Sequence, residues 1–158
     1  MVEKIKVALV GLGNCFSGLI QGIEYYKKNP SQQVIGIIHD KLRDYSIHDI
    51  DFVAGFDVGE NKIGKSVNEA IYELPNMVNW IPKDEMPKTN GKVYESPALD
   101  GVGIWVENKV KPIQSGKSQS DLEDEIKKVL KDTGVEIIVS YLPVGSEKAT
   151  QFWANICL

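Results

Sequence analysis

The sequence predicts an α/β fold in which a parallel β-sheet is flanked by helices. An apolar strand, a glycine turn and a helix follow one another at the start of the chain. Further apolar strands alternate with helical patterns, and this alternation is typical of parallel sheets with right-handed crossovers. With 158 residues, 42% of them hydrophobic, the chain is the size of one domain that buries its own core. We therefore treat residues 1–158 as one domain.

The first strand and its glycine turn are the most informative part of the chain. Residues 5–10 are mostly apolar, as in a strand buried on both faces, and Gly11 and Gly13 follow at once. Residues 16–23 then carry apolar side chains at helical spacing. Gly11 permits a tight turn, and Gly13 lets the backbone approach a pyrophosphate at the helix N-terminus. The pattern predicts the first half of a Rossmann-like dinucleotide-binding unit.

This glycine pattern departs from the usual G-x-G-x-x-G at its third position. Phe16 stands where the third glycine is expected, and the next glycine is Gly18. The third glycine serves packing between helix and strand, so Phe16 indicates a looser or displaced helix and not a lost phosphate site. The alternative is a glycine turn that merely connects a strand to a helix.

A carboxylate, Asp57, stands at the end of the second predicted strand, residues 50–56. In that position it is suited to accept hydrogen bonds from both hydroxyls of an adenosine ribose, and it would repel a 2′-phosphate. This favours NAD over NADP as the cofactor. The spacing from Gly13 exceeds the usual ~20 residues, the extra length lying within residues 29–49. A turn residue or a helix cap is the alternative for Asp57.

The next two segments have less distinctive sequence patterns. Residues 62–74 have apolar side chains at helical spacing and precede Pro75, which predicts a second helix. Residues 88–119 are rich in Gly, Pro, Ser and Lys and predict a long loop insertion. Ordered loops of that length are usually functional, so it is either a lid over the cofactor or an interface segment, with a mobile insertion as the alternative.

The last third of the chain predicts a helix, a strand and a final helix. Ser120 is the expected cap of the first helix, and Gly134 ends it. Residues 135–142 form the strand, and Ser146 caps the last helix. Ser140–Pro143 end this strand on the side of the sheet where α/β proteins bind their ligands.

Charge and composition exclude several functions. The net charge is −4 with acidic and basic residues interspersed, so we expect no nucleic-acid partner. No apolar run reaches the ~20 residues of a membrane span, and we expect no membrane partner. The cysteines, Cys15 and Cys157, suggest neither a disulfide nor a metal site and fit a cytoplasmic location. Cys15 is better explained as a small residue facing the cofactor than as a nucleophile.

The chain stops at Leu158, inside the apolar pattern of its final helix. A crossover helix leads to another strand, so we expect a parallel sheet that is incomplete at its C-terminal end and keeps an open edge. The sequence therefore predicts a partial domain that forms a homo-oligomer or associates with a complementing chain.

Five collinear segments resemble the inositol-3-phosphate synthase (myo-inositol-1-phosphate synthase) family, especially its shorter prokaryotic branch. They are VGLGNC at 10–15, QGIEYY at 21–26, DFVAGFDV at 51–58, PALDGVG at 97–103 and VSYLPVGSE at 139–147. The resemblance covers nearly the whole chain, and it corresponds to the N-terminal NAD-binding part of a family member.

The resemblance implies an NAD-dependent isomerase that converts D-glucose 6-phosphate to 1D-myo-inositol 3-phosphate. The family oxidises its substrate, cyclises it by an intramolecular aldol step and reduces it again, without net redox change. It implies that the following residues contact NAD: Gly11, Gly13, Asn14 and Cys15 at the pyrophosphate, Asp57 at the ribose, and Ser140, Leu142 and Pro143 at the strand end.

The family's catalytic lysines and substrate phosphate site lie in a part that this sequence does not contain. Lys109, Lys111 and Lys117 match no catalytic motif of the family and are expected to be solvated. We therefore expect no turnover by this chain alone, and glucose 6-phosphate as a partner only of the complete enzyme. Two other functions remain open: a non-catalytic NAD(H)-binding or regulatory module from the same family, and a methyltransferase in which Asp57 holds S-adenosylmethionine.

Overall fold

A computed structural model describes residues 3–29, 36–39, 41–103 and 108–158. Its helices and strands, in chain order, are β1 (Ile5–Val10), α1 (Asn14–Lys28), β2 (Lys41–Leu42), β3 (Tyr45–Ser46), β4 (Ile50–Asp57), α2 (Val67–Ala70), β5 (Lys92–Glu95), α3 (Gln119–Thr133), β6 (Ile137–Ser140) and α4 (Glu147–Ile156). Short 3₁₀ turns lie at Ile47–Asp49 and Lys83–Glu85. Residues 104–107 of the predicted long loop, and part of the predicted spacer 29–49, lie outside the described residues.

Four of the strands form one parallel sheet in the order β5-β4-β1-β6, and β2 and β3 form a separate antiparallel pair. The predicted α/β fold with a parallel sheet flanked by helices is confirmed. β1 lies between β4 and β6, which explains why its apolar run is continuous: a central strand is covered on both faces.

Alternate residues of β1 separate the core into two halves. Val7 and Leu9 pack with α1, α2 and Val93 on one face. Ala8 and Val10 pack on the other face with residues of β4, α3 and α4. Because side chains alternate along a strand, one apolar run supports helices on both sides of the sheet.

The predicted helix at 62–74 is reduced to the four residues of α2. Gly64 has φ of +84°, which a helix cannot contain, and the backbone around it bonds to β5 instead. The Gly64 N–H donates to the Val93 carbonyl, and the Val93 N–H donates to the Lys65 carbonyl. Apolar residues here have helical spacing because they cover the core, but sheet-type hydrogen bonds use the backbone of residues 64–65.

The predicted loop at 88–119 contains a strand that the sequence did not reveal. β5 has four residues, of which Val93 is buried, and it pairs in parallel with β4 from Ala54 to Asp57. A four-residue segment is too short to show a period of its own. The remainder of this segment, where described, is irregular as far as α3.

The elements of the last third are confirmed with small shifts. The cap of α3 is Ser118 and not Ser120: its hydroxyl accepts from the Asp121 N–H, and the Asp121 carboxylate accepts from Ser118 in return. Gly134 ends α3 with φ of +66°. β6 is shorter than the predicted strand, so residues 141–143 are free to form the edge of a cleft.

The position of β5 depends on a glycine that has no room for a side chain. A Cβ on Gly91 would overlap the Phe52 carbonyl oxygen in the backbone of β4. We predict that Gly91→Ala lowers the free energy of unfolding by about 1–3 kcal/mol, because the backbone must shift. Gly22→Ala is the control: nothing lies within 4 Å of its added Cβ in α1, so it should raise stability by about 0.5–1 kcal/mol. Urea denaturation measures both, and equal stability of the two variants would contradict this account.

Candidate functional site

A cleft lies where the four parallel strands end. From β1 the chain moves outward to β4 and β5, and then returns to the other side of β1 with β6. Ligands of open α/β sheets bind at such a switch point, outside the carboxyl ends of the strands. A cavity of about 200 Å³ lies there. It is lined by residues that follow each strand, among them Gly11, Gly13, Asn14, Asp57, Val58, Ser96, Pro97, Ala98, Tyr141, Leu142 and Pro143.

Gly11 makes the tight turn after β1. Its φ is +80°, a conformation that favours glycine, and its N–H donates to the Phe56 carbonyl at 2.9 Å. A Cβ at this position would also lie 3.2 Å from the Tyr141 carbonyl oxygen. The turn thus brings β1, β4 and the segment after β6 together, and it is the tight turn that the sequence predicted at Gly11.

Gly13 begins α1 and faces open space. It lines the cavity, and no atom lies within 4 Å of a Cβ added to it. The protein itself therefore does not require glycine here, whereas a ligand against the backbone would. The α1 N-terminus has no side-chain cap and no acidic residue in its first turn. Its first amide groups remain available to an anion.

The N-termini of the other two long helices have acceptors from the protein. Ser118 caps α3. At α4 the Asp100 carboxylate accepts from the N–H groups of Lys148 and Ala149, both at 2.8 Å. Of the three long helices in the described part of the chain, α1 alone presents its N-terminus to the cleft without a side-chain acceptor.

Two residues of the first turn of α1 differ in their surroundings. The Asn14 side chain lines the cavity, and its Oδ1 accepts from the Met77 N–H at 2.8 Å. Cys15 is exposed and is not among the cavity-lining residues.

Phe16, in place of the third glycine, is fully buried, with its ring centre 4.5 Å from that of Tyr141. An aromatic contact thus joins α1 to the strand end where a glycine usually permits close packing.

The cavity wall on this side begins where β6 ends. Leu142 and Pro143 line the cavity, as does Tyr141 before them. Ser140 is the last residue of β6, is exposed, and does not line the cavity. Three consecutive residues beyond the strand therefore form this wall of the cleft.

Asp57 is the last residue of β4 and is only 7% exposed. Its Oδ2 accepts from the Leu12 N–H at 2.8 Å and lies 3.5 Å from Lys62 Nζ, and its Oδ1 accepts from the Gly59 N–H at 2.9 Å. A carboxylate has about four acceptor positions, so these contacts leave one. If Asp57 is to accept both hydroxyls of a ribose, as the sequence suggested, one of these contacts must give way.

Sequence reasoning missed two polar residues behind the glycine turn. Lys62 and Asn76 are both buried and line the cavity, and both donate to the Leu12 carbonyl at 2.8 Å. Lys62 is the first residue of the segment predicted to be a helix, and Asn76 follows Pro75, which ends that segment. They lie 50 and 64 residues beyond Leu12 in the chain, so no short sequence motif could reveal that they meet its carbonyl.

The loop after β5 forms the roof of the cleft and is held to α4 by Asp100. Ala98 and Gly101 line the cavity on either side of this residue. The Lys148 N–H, with help from that of Ala149, holds the pKa of the Asp100 carboxyl below its usual range. A charged Asp100 also interacts favourably with the N-terminus of the α4 dipole.

The described residues contain no group of three His, Cys, Asp or Glu side chains that could hold a metal ion. Lys109, Lys111 and Lys117 are exposed, in agreement with the prediction that they are solvated. Lys117 is paired with Glu125 at 2.7 Å, which raises the pKa of the lysine. Nor does the described part of the chain contain a helix long and apolar enough to cross a membrane.

Comparison with known proteins supports the family resemblance. No protein-family model matches the chain. However, inositol-3-phosphate synthases from Mycolicibacterium smegmatis and Corynebacterium glutamicum are 40% and 37% identical to it over 157 and 155 residues. These matches cover 98% of this chain and 41% and 40% of the relatives, so the chain spans about two fifths of their length.

Two solved structures have a similar fold. The crystal structure of Ari2 matches with a TM-score of 0.77 and 25% identity. That of a myo-inositol-1-phosphate synthase-related protein from Thermotoga maritima matches with a TM-score of 0.67 and 19% identity, which shows the fold alone. Each match covers 98% of this chain and 44% of the solved chain. The resemblance inferred from the five segments is confirmed.

We predict that Asp100→Asn lowers the thermal midpoint at pH 7, because it removes the charge and one acceptor from the α4 N-terminus. The pKa of Asp100 is lower in the folded state, so its contribution is present above the unfolded pKa of about 3.9 and is lost as pH falls through the folded value. The gap between wild type and variant should therefore shrink below about pH 4. Melting curves from pH 7 to pH 3 measure it, and a gap that stays constant would contradict this role.

Proposed function

We propose that this chain, a homologue of the N-terminal part of inositol-3-phosphate synthases, is the NAD-binding part of such an enzyme. The observation that carries the proposal is the α1 N-terminus. It lacks a side-chain cap and begins at a glycine that faces open space, at the switch point of a parallel sheet. These are the features with which α/β proteins bind a pyrophosphate.

The residues of the cleft fit the parts of NAD in a definite order. The amides of Asn14 and Cys15 would hold the pyrophosphate, with Gly13 providing the space for it. Asp57, beside the end of β4, would accept from the adenosine ribose. Leu142 and Pro143, on the other side of β1, would contact the nicotinamide half. When bound, NAD supplies an acceptor and a donor of hydride.

The charge of Asp57 favours NAD over NADP. Its carboxylate lies 3.5 Å from Lys62 Nζ. Both groups are buried, but at this distance the hydrogen bond between them is weak. A 2′-phosphate would approach the carboxylate and would find the lysine ammonium already surrounded by protein acceptors. The chain should therefore prefer the 2′-hydroxyl.

The role of this chain in the proposed isomerisation is to bind and orient the cofactor. Oxidation, aldol cyclisation and reduction of D-glucose 6-phosphate need placed bases and cations. Among the cavity-lining residues the structure gives one lysine, Lys62, and its three donor positions all have protein acceptors nearby. We therefore assign proton transfer to the part of the relatives that these 158 residues do not span.

A non-catalytic NAD(H)-binding module is the second candidate, and the described cavity lining, which contains no Lys or Arg besides Lys62, favours it equally. Both candidates predict NAD binding. They differ in whether adding the complementary part of the enzyme produces turnover.

We predict that the purified chain binds NAD⁺ with micromolar to millimolar affinity, and that Gly13→Ala weakens it at least tenfold. The added methyl group would occupy the space beside the pyrophosphate, while nothing in the protein contacts it. Isothermal titration calorimetry measures the affinity, with Gly22→Ala as a matched control that adds the same methyl group to α1 outside the cleft. NADP⁺ should bind more weakly than NAD⁺.

Two outcomes of that titration would contradict the proposal. One is a folded wild-type chain that does not bind NAD⁺. The other comes from a competition titration, in which S-adenosylmethionine displaces NAD⁺ and binds more tightly. That result would favour the methyltransferase alternative.

We also predict that these 158 residues alone form no inositol phosphate from glucose 6-phosphate in the presence of NAD⁺, because Lys62, the one lysine among the described cavity-lining residues, is surrounded by protein acceptors. Detection of the product by phosphate release after selective oxidation, compared with a protein-free sample, tests this. Product formation by the purified 158 residues would contradict our assignment of proton transfer to the part of the relatives that they do not span.

A further inference from the structure

Lys62 is a buried cation directly behind the glycine turn. Its residue exposure is 4%, and it is the one lysine classed as buried in the described ranges. A lysine is rarely buried so completely unless its ammonium group is paired, because removing the charge from water is costly. Its position therefore needs an explanation beyond packing.

The Lys62 ammonium is directed at acceptors of the protein itself. Its Nζ lies 2.8 Å from the Leu12 carbonyl oxygen, 3.4 Å from Asn76 Oδ1 and 3.5 Å from Asp57 Oδ2. A lysine has three donor positions, and three acceptors surround this one. The shortest of these contacts is made to the backbone of the glycine turn.

Asn76 acts on the same carbonyl group without a charge. Its side-chain amide donates to the Leu12 carbonyl at 2.8 Å and to the Ile71 carbonyl at 3.0 Å. Both lone pairs of the Leu12 oxygen are thus used, one by Lys62 and one by Asn76.

The peptide groups on both sides of Leu12 are held in this way. Asp57 accepts from the Leu12 N–H at 2.8 Å, while Lys62 and Asn76 hold its carbonyl. The second of these peptide groups carries the Gly13 N–H, which donates to the Gly11 carbonyl at 2.8 Å, and α1 begins immediately after it. The direction of the first amides of α1 follows from the orientation of this peptide group.

We propose that Lys62 is a positioning residue that, together with Asn76, fixes the Leu12 carbonyl and so orients the α1 N-terminus for the pyrophosphate of a dinucleotide. This inference rests on the proposed function. It has a specific consequence: loss of either side chain should weaken ligands that contain the pyrophosphate and should not weaken adenosine. General damage to the cleft would weaken all of them.

The test compares Lys62→Met and Asn76→Leu with wild type, using NAD⁺, ADP-ribose and adenosine as ligands in calorimetric or NMR titrations. We expect NAD⁺ and ADP-ribose to bind at least tenfold more weakly to Lys62→Met and at least threefold more weakly to Asn76→Leu. Adenosine affinity should fall by less than twofold, since Lys62→Met frees an acceptor position of Asp57 for the ribose. Lys128→Met, which removes an exposed charge from α3, is the control and should change nothing.

Two results with a binding-competent wild type would overturn the proposal. If affinity for all three ligands falls equally while the thermal midpoint drops, the role of Lys62 is only structural. If Asn76→Leu is silent and the loss in Lys62→Met disappears at 1 M salt, the lysine acts by attraction of charge, which salt screens.

If wild type binds no NAD⁺, the proposed function fails, and a readout without ligand decides the positioning role. The Leu12 and Gly13 amides are hydrogen-bonded in the turn, so their hydrogen exchange reports its order. Faster exchange at these two amides in both variants, with β1 and β4 unchanged, would support positioning. Unchanged exchange would overturn it.

Discussion

The hydrogen bond from the Leu12 N–H to the Asp57 carboxylate is the contact on which the cleft depends. It joins the turn after β1 to the end of the neighbouring strand, β4, at 2.8 Å and in a buried position. Since a bond to a charged acceptor is stronger than a neutral one, it fixes the turn more firmly than strand pairing alone. The Gly11 amide, bonded to the Phe56 carbonyl, adds a second link between the same two strand ends.

A buried carboxylate requires a counter-charge and hydrogen-bond donors, and residues between β4 and β5 supply them. Lys62 supplies a counter-charge, and Asn76 satisfies the lysine and the turn together. Further along, Gln21 of α1 accepts from the Trp80 and Ile81 amides and so holds the same irregular segment against the helix. An irregular backbone can cover one face of the sheet here because buried side chains replace the hydrogen bonds of a regular helix.

The N-termini of α1 and α4 differ in what occupies them. Asp100 occupies the N-terminus of α4 and ties the loop after β5 to it, whereas α1 leaves its N-terminus unoccupied by side chains. A ligand anion in the cleft therefore meets the dipole of α1 without competition from a protein carboxylate in its first turn. Around the same cavity, one helix N-terminus is thus occupied by a protein carboxylate and another is left open.

The sequence by itself determined the strands β1 and β4, the helices α1, α3 and α4, and the glycine turn, because each has an apolar period or a glycine that acts over a few residues. Only the tertiary structure decided that β5 is a strand, that residues 62–65 are not helical, and that Cys15 and Ser140 lie outside the cavity. It also placed Lys62 and Asn76 behind Leu12. These outcomes depend on contacts between residues far apart in the chain, such as Lys62 with Leu12 and Gly64 with Val93, and no local pattern records which distant backbone group a buried side chain will meet.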